Sequence, residues 1–167
     1  MSLTEDLAII ARQEAALQFA HFKEESAWQL GTRLRQVAVA RKLTLVIDIR
    51  RFGHPLFYCA LPGTSPDNPV WAQRKANTVA RFHHSSYYVG LELQMKGVTL
   101  AERFGLTLNE FAAHGGSFPI SLRGTGVIGA VTVSGLPQRE DHQFVVEALC
   151  AETSNDFSAF QLPKSDA

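Results

Sequence analysis

Leu3, Leu7, Ile10 and Leu17 recur at helical spacing behind Ser2-Leu3-Thr4-Glu5, which has the form of a capping box. This pattern predicts a first helix that ends before Phe19, and 18–22 then reads as a short edge strand. A second box, Ser26-Ala27-Trp28-Gln29, precedes the stripe Ala27, Leu30, Leu34, Val37 and Ala38, predicting a helix to Lys42. The periodicity then shortens. Residues 43–50 are dense in Leu, Val and Ile, 51–54 turn, and 55–61 form a second extended run, which together predict a β-hairpin.

Residues 62–69 are rich in turn formers. Asp67 or Asn68 caps the next helix, with Pro69 in its first turn, where the missing N–H costs nothing. That helix runs to Phe82, and another starts at Ser85 or Ser86 and reaches Met95. Thr107-Leu108-Asn109-Glu110 is read as the cap of a short helix stopped by Gly115 in the left-handed conformation, with His114 as its last residue. A second hairpin follows, then a helix over 137–151. Gly124-Thr125-Gly126-Val127-Ile128-Gly129 matches G-x-G-x-x-G, but more strand follows it and no helix, so it is a hairpin turn. Because the strands come as hairpins, the fold class is α+β, with a largely antiparallel sheet and helices packed on it. Residues 1–151 are expected to form a single domain, and 152–167 a loosely held polar tail.

The 167 residues carry 16 Lys and Arg against 16 Asp and Glu, so no net field steers nucleic acid or an anionic membrane. No apolar run approaches the ~20 residues of a membrane span, and no secretory leader opens the chain. Cys59 and Cys150 are expected as buried thiols rather than a disulfide. These features together predict a soluble, cytoplasmic protein.

Lys75 interrupts the stripe Trp71, Thr78, Val79 and Phe82. An ammonium there either snorkels to water or is buried against an acid, with Asp48, opposite Leu45, Ile47 and Ile49 on its strand, or another acid as the expected partner. Asp141 lies one turn before Val145 and leans inward at a helix start, where the helix dipole favours an acid. His142 beside it must diverge from it, so capping is preferred to general-base work. Ser134 before Gly135 is read as an N-cap. His83 and His84 are adjacent and cannot face one metal, and no zinc-ligand spacing is present, so no metal site is expected. His83, His84 or His114 could each serve as a haem ligand. Gly115 and Gly116 are read as an anion-binding backbone nest lining a pocket, with Arg74 or Arg123 as countercharge.

The run His114-Gly115-Gly116-Ser117-Phe118-Pro119-Ile120, the strand 126–134 ending Val133-Ser134-Gly135, and Glu140-Asp141-His142 resemble the closing motif of the haem-degrading-domain family, the GlcG/HbpS-like proteins. Lys75-Ala76 matches the Lys-Ala of that family's central helix, and Asp48 its Val-Asp strand ending. The Asp67-Asn68-Pro69-Val70-Trp71 loop, with Arg74-Lys75, is similar to the branch of the family that also has fungal members. The resemblance implies a profilin-like layered fold and a cytosolic homo-oligomer binding a small anionic or tetrapyrrole ligand, with haem as one candidate cofactor. It also implies two alternatives, an oxidative haem-degrading enzyme and a non-catalytic interaction module. Phe82, Tyr87, Tyr88 and Phe118 are the aromatics expected at a subunit interface. The expected ligand-binding residues are Asp48, Arg74, Lys75, His114, Gly115, Gly116 and Asp141.

Overall fold

Two hairpins join through their inner strands in a computed structural model of the chain, which describes residues 2–164. β1 (Val46–Arg51) pairs antiparallel with both β2 (His54–Ala60) and β4 (Gly126–Ser134), and β4 pairs with β3 (Ser117–Leu122). The resulting order is β2-β1-β4-β3. Strand alternation gives this sheet two unlike faces. On one face Ile47, Ile49, Phe118, Ile120, Val131 and Val133 form a single core with Leu30, Leu34 and Ala38 of α2 (Glu24–Ala40) and Val145 and Leu149 of α6 (Gln138–Glu152). On the other face α3 (Asp67–Phe82) packs Ala76 and Val79 against Ala130, and the Ser117 and Thr132 hydroxyls hydrogen-bond to each other at 2.7 Å. The fold is α+β, with an antiparallel sheet layered between helices.

α1 (Leu3–Ala16) begins at the expected box: the Ser2 hydroxyl accepts from the Glu5 N–H at 3.2 Å, and the Glu5 carboxylate accepts from the Ser2 N–H at 3.0 Å. Leu7 and Ile10 meet Tyr87 and Leu91 of α4 (Ser86–Lys96) and Leu162 in a second, smaller core. Ser85 caps α4 by accepting from the Tyr88 N–H at 3.2 Å.

Several local expectations are corrected. Ser26 is not a cap: α2 starts at Glu24, and the Ser26 hydroxyl accepts from the Lys23 N–H at 3.0 Å. The edge strand over 18–22 shrinks to one parallel bridge between Phe19 and Leu122. Thr107 starts a turn rather than a helix. The capping box in that region is Thr99 with Glu102, which opens α5 (Leu100–Phe104), closed by Gly105 at φ 66°. Ser134 is the buried last residue of β4, not a cap, and α6 begins after Pro137. Residues 153–164 are held rather than loose: Leu162 is buried, its N–H donates to Gln143, and the Phe160 carbonyl accepts from Gln13, while the rest of the expected tail lies outside the described residues. Phe118 and Tyr87 are core residues, while Trp28, Phe52 and Tyr58 are exposed aromatics. Cys59 and Cys150 are free thiols. Among the described residues no helix is long and apolar enough to cross a membrane.

Candidate functional site

Lys75 sits one turn after Trp71 and one before Val79, so it points at the sheet with the apolar stripe of α3. Its side chain is 4% exposed and that of Asp141, in the first turn of α6, is 1% exposed. The ammonium donates to Asp141 Oδ2 at 2.8 Å and to the Val133 carbonyl at 3.3 Å. Asp141 also accepts from the Leu136 N–H at 3.0 Å and the Gly135 N–H at 3.4 Å. Burial pushes the Asp141 carboxyl above the usual range, against the downward pull of Lys75 and the two backbone donors.

Asp48 is not the partner of Lys75. It is gripped by Arg50, two residues along the same strand and so on the same face, through Nε and Nη2 at 2.6 Å each. Lys75 reaches past them to the end of β4, where the β4–α6 turn delivers Asp141. Arg50 also donates to Gln73 of α3, so this pair pins the helix to the sheet.

The double glycine also differs from expectation. Gly116, not Gly115, has the left-handed backbone, at φ 131°. A Cβ on Gly116 would lie 2.5 Å from the Val133 carbonyl oxygen and 2.7 Å from Lys75 Nζ. One on Gly115 would lie 2.0 Å from the Gln138 carbonyl oxygen. The Gly115 N–H donates to the Gln138 side chain at 3.3 Å. These glycines let the start of β3 close onto α6 and the buried lysine, and they face that packing rather than open space. His114 ends no helix; it sits in a bend, exposed, with its ring edge-on to Trp71 at 5.3 Å.

Above the ion pair opens a cleft of about 290 Å³. Lys75 and Asp141 form its floor, Trp71 and His114 one wall, the Ser134–Leu136 turn the other, and Asp67, Asn68 and Gln138 its rim. Asp67 accepts from the Trp71 indole N–H at 3.1 Å, which orients that ring. His114 is held below the ordinary histidine pKa, first by partial desolvation and then by Lys75 and Arg74. A wider groove of about 470 Å³ runs along Trp28, Arg33 and Gln36 of α2, but no buried charge faces it.

Of the seven expected site residues, Lys75, His114 and Asp141 meet at this cleft. Arg74 lies with its guanidinium 4.4 Å from the centre of the Trp71 ring and does not line the cleft. Asp48, Gly115 and Gly116 do not line it either. Sequence reasoning missed Asn68 and Gln138 on the rim. It also missed the polar bolt on the far side of α6, where His142, 1% exposed, bonds Gln13 at 2.8 Å. Burial, and then Arg139, push His142 down to about 3, so it is neutral. Among the described residues no group of three or more His, Cys, Asp or Glu is placed to hold a metal.

The family description "Haem degrading protein HbpS-like" matches residues 22–150 of this chain. A relative from Acidobacterium capsulatum, called UPF0303 protein, is 59% identical over 165 residues, covering 99% of this chain and 100% of its own. Among solved structures, that of the Ybr137w protein matches with a TM-score of 0.82 at 33% identity, covering 89% of this chain and 87% of that one. A structure titled as the PduOC haem complex matches with a TM-score of 0.67 at 18% identity over 78% of this chain and 94% of that one, a likeness of fold.

Proposed function

The chain belongs to the HbpS-like haem-degrading protein family, and from that premise we propose that it binds a small acid, a carboxylate or similar oxygen-rich anion, in the cleft between α3 and α6. One observation carries this reading: two of the three Lys75 N–H groups are spent on Asp141 and Val133, and the third is left to the cleft that Lys75 lines. The Asp141 carboxylate beside it is already engaged. Asp141 takes three hydrogen bonds and Asp67 takes the Trp71 N–H. Asn68 and Gln138 add amide donors at the rim, since the side-chain oxygen of each already accepts a backbone N–H. A site with surplus donors favours a ligand rich in acceptors.

Haem does not fit this cleft. Trp71 and Leu136 are its large apolar lining groups, and its volume is at the lower end of small-molecule sites. A tetrapyrrole needs an apolar slot beside its axial ligand, and His114 alone does not supply one. Oxidative haem degradation in this cleft loses support for the same reason.

We also place the chain in the cytosol, on the branch with fungal members, and in a homo-oligomer. The 33% identity to the Ybr137w protein supports the branch, and the exposed side chains of Trp28, Tyr58 and Val70 support self-association.

Thermal shift and calorimetry with acetate, benzoate and inorganic phosphate test the binding. At least one of them raises the melting point in proportion to the logarithm of its concentration, and Trp71→Ala weakens it about tenfold. Tight haem binding by the parent, read from the Soret band, with no response to any acid, overturns the reading.

A further inference from the structure

We propose that this cleft abstracts a proton from the carbon next to a carbonyl, in a small 2-oxo acid, with Lys75 at the carbonyl oxygen and His114 as the base. The inference rests on the binding reading above and adds a reaction to it.

The cleft brings together the two groups that enolisation requires. Lys75 is held in place by Asp141 and the Val133 carbonyl, which take two of its three N–H groups, and it lines the cleft with one donor to spare. Such a preorganised donor stabilises an oxygen more as negative charge grows on it. His114 is the second group. Its ring is oriented by Trp71, and neither ring nitrogen is hydrogen-bonded within the described residues. Partial desolvation first, and then Lys75 and Arg74, disfavour the protonated imidazole, which favours a free lone pair at neutral pH. The rim amides of Asn68 and Gln138 suit the carboxylate of such an acid. Ser134 also lines the cleft, but its hydroxyl is bonded to no base, so acyl transfer lacks an activated nucleophile.

The step balances without a co-reactant. The C–H bond breaks, its proton passes to the free nitrogen of His114, its electron pair forms a C=C bond to the carbonyl carbon, and the carbonyl π pair moves onto the oxygen against Lys75. Return of a proton from His114 to the same carbon restores the keto acid. Asp141 is a positioning residue, since it touches Lys75 rather than the substrate.

Loss of the pyruvate methyl signal in D2O, followed by proton NMR on the full chain, reads the reaction directly. Binding is measured in the same samples by saturation transfer. Exchange is expected at least tenfold above buffer, lost in His114→Ala, restored by added imidazole, and unchanged in His54→Gln. Its rate should rise with pH and level off after an inflection below about 6.5. Pyruvate that binds without exchanging overturns the reaction and leaves the binding reading standing. Exchange that survives His114→Ala overturns the assignment of the base. The absence of both binding and exchange overturns the reaction, and the acid-binding reading then stands or falls on its own calorimetry.

Discussion

The two faces of the central sheet solve opposite problems with the same strands. Toward α2 and α6, β1 and β4 present Ile47, Ile49, Val131 and Val133, all fully buried in one apolar core. Toward α3 the alternate positions carry Asp48, Arg50 and Thr132, and that helix answers with Lys75 and Gln73. The apolar face gains stability from any well-packed hydrophobic group. The polar face gains little, because a buried ion pair roughly cancels its own desolvation. A charged group retained there must find its partner inside the fold, and Lys75 and Asp141 do so beneath the cleft, which opens at the end of that face.

The largest expected effect separates the faces by whether a second substitution repairs the first. Lys75→Met leaves Asp141 as an uncompensated buried carboxylate and should cost about 3–5 kcal/mol in urea unfolding. Adding Asp141→Leu should recover most of that, since an apolar pair of similar volume is nearly neutral. Leu34→Ala on the apolar side should cost about 2–5 kcal/mol, and no substitution opposite it would repair the cavity. A Lys75→Met cost below ~1 kcal/mol would mean that the pair carries no charge.

A pair of glycines gives the next contrast. Gly116→Ala forces a Cβ to 2.5 Å from the Val133 carbonyl oxygen at φ 131°, where backbone cannot yield. The expected loss is about 1–3 kcal/mol, with the melting point as readout. Gly31→Ala on α2 brings a Cβ to 2.4 Å from Cγ and Cδ1 of the half-buried Phe57 ring, a side chain rather than backbone, though one packed against Trp28. Its helix-propensity gain of about 1 kcal/mol offsets part of the crowding, so the net loss should be smaller than that of Gly116→Ala. Equal losses at both positions would show that the polar face is no more rigid than the other.

The elements were legible because their signals are local. Ser2 with Glu5, the stripe from Ala27 to Ala38 and the two hairpins needed only neighbours in sequence. Thr99 with Glu102 carries the same signature as Ser2 with Glu5 and was readable, but the weaker Thr107 pattern drew the assignment. The polar pairs were half legible. Lys75 announced itself by interrupting an apolar stripe, and the same rule applied to α1 would have found Gln13 between Ile10 and Leu17. Their partners were not legible, because Asp141 and His142 lie 66 and 129 residues away. Arg50 took Asp48 because residues two apart on a strand share a face. Gly115 and Gly116 could not be told apart, since only the closing angle of the chain decides which one turns.

The third test is acid stability, set by His142 on the apolar side of α6, between the rings of Tyr87 and Phe118. Its folded pKa of about 3 lies below its unfolded value, so the unfolded chain binds a proton first as pH falls. Stability should therefore be level above pH 7 and fall by about 2 kcal/mol between pH 7 and pH 5 from this residue alone. His142→Leu should flatten that slope even though it also loses the Gln13 bond. An unchanged slope in the variant would move the acid sensitivity elsewhere.

The smallest effect probes whether geometry or charge holds the other polar pair. Arg50→Lys keeps the cation but loses the fork that grips both oxygens of Asp48, together with the donor to Gln73. A lysine stem can follow the same path, and its ammonium can still reach one carboxylate oxygen. The arginine side chain is only 13% exposed, so the shortened reach is not fully made up by water. The expected cost is about 1 kcal/mol by urea unfolding, one charge-assisted hydrogen bond against its replacement. Added salt should change it little, because screening acts weakly on partly buried pairs. A loss as large as that of Lys75→Met would show that Asp48–Arg50 is as strictly needed as the pair beneath the cleft. The polar face would then be scaffold along its whole length, and its chemistry would no longer single out the end where the cleft opens.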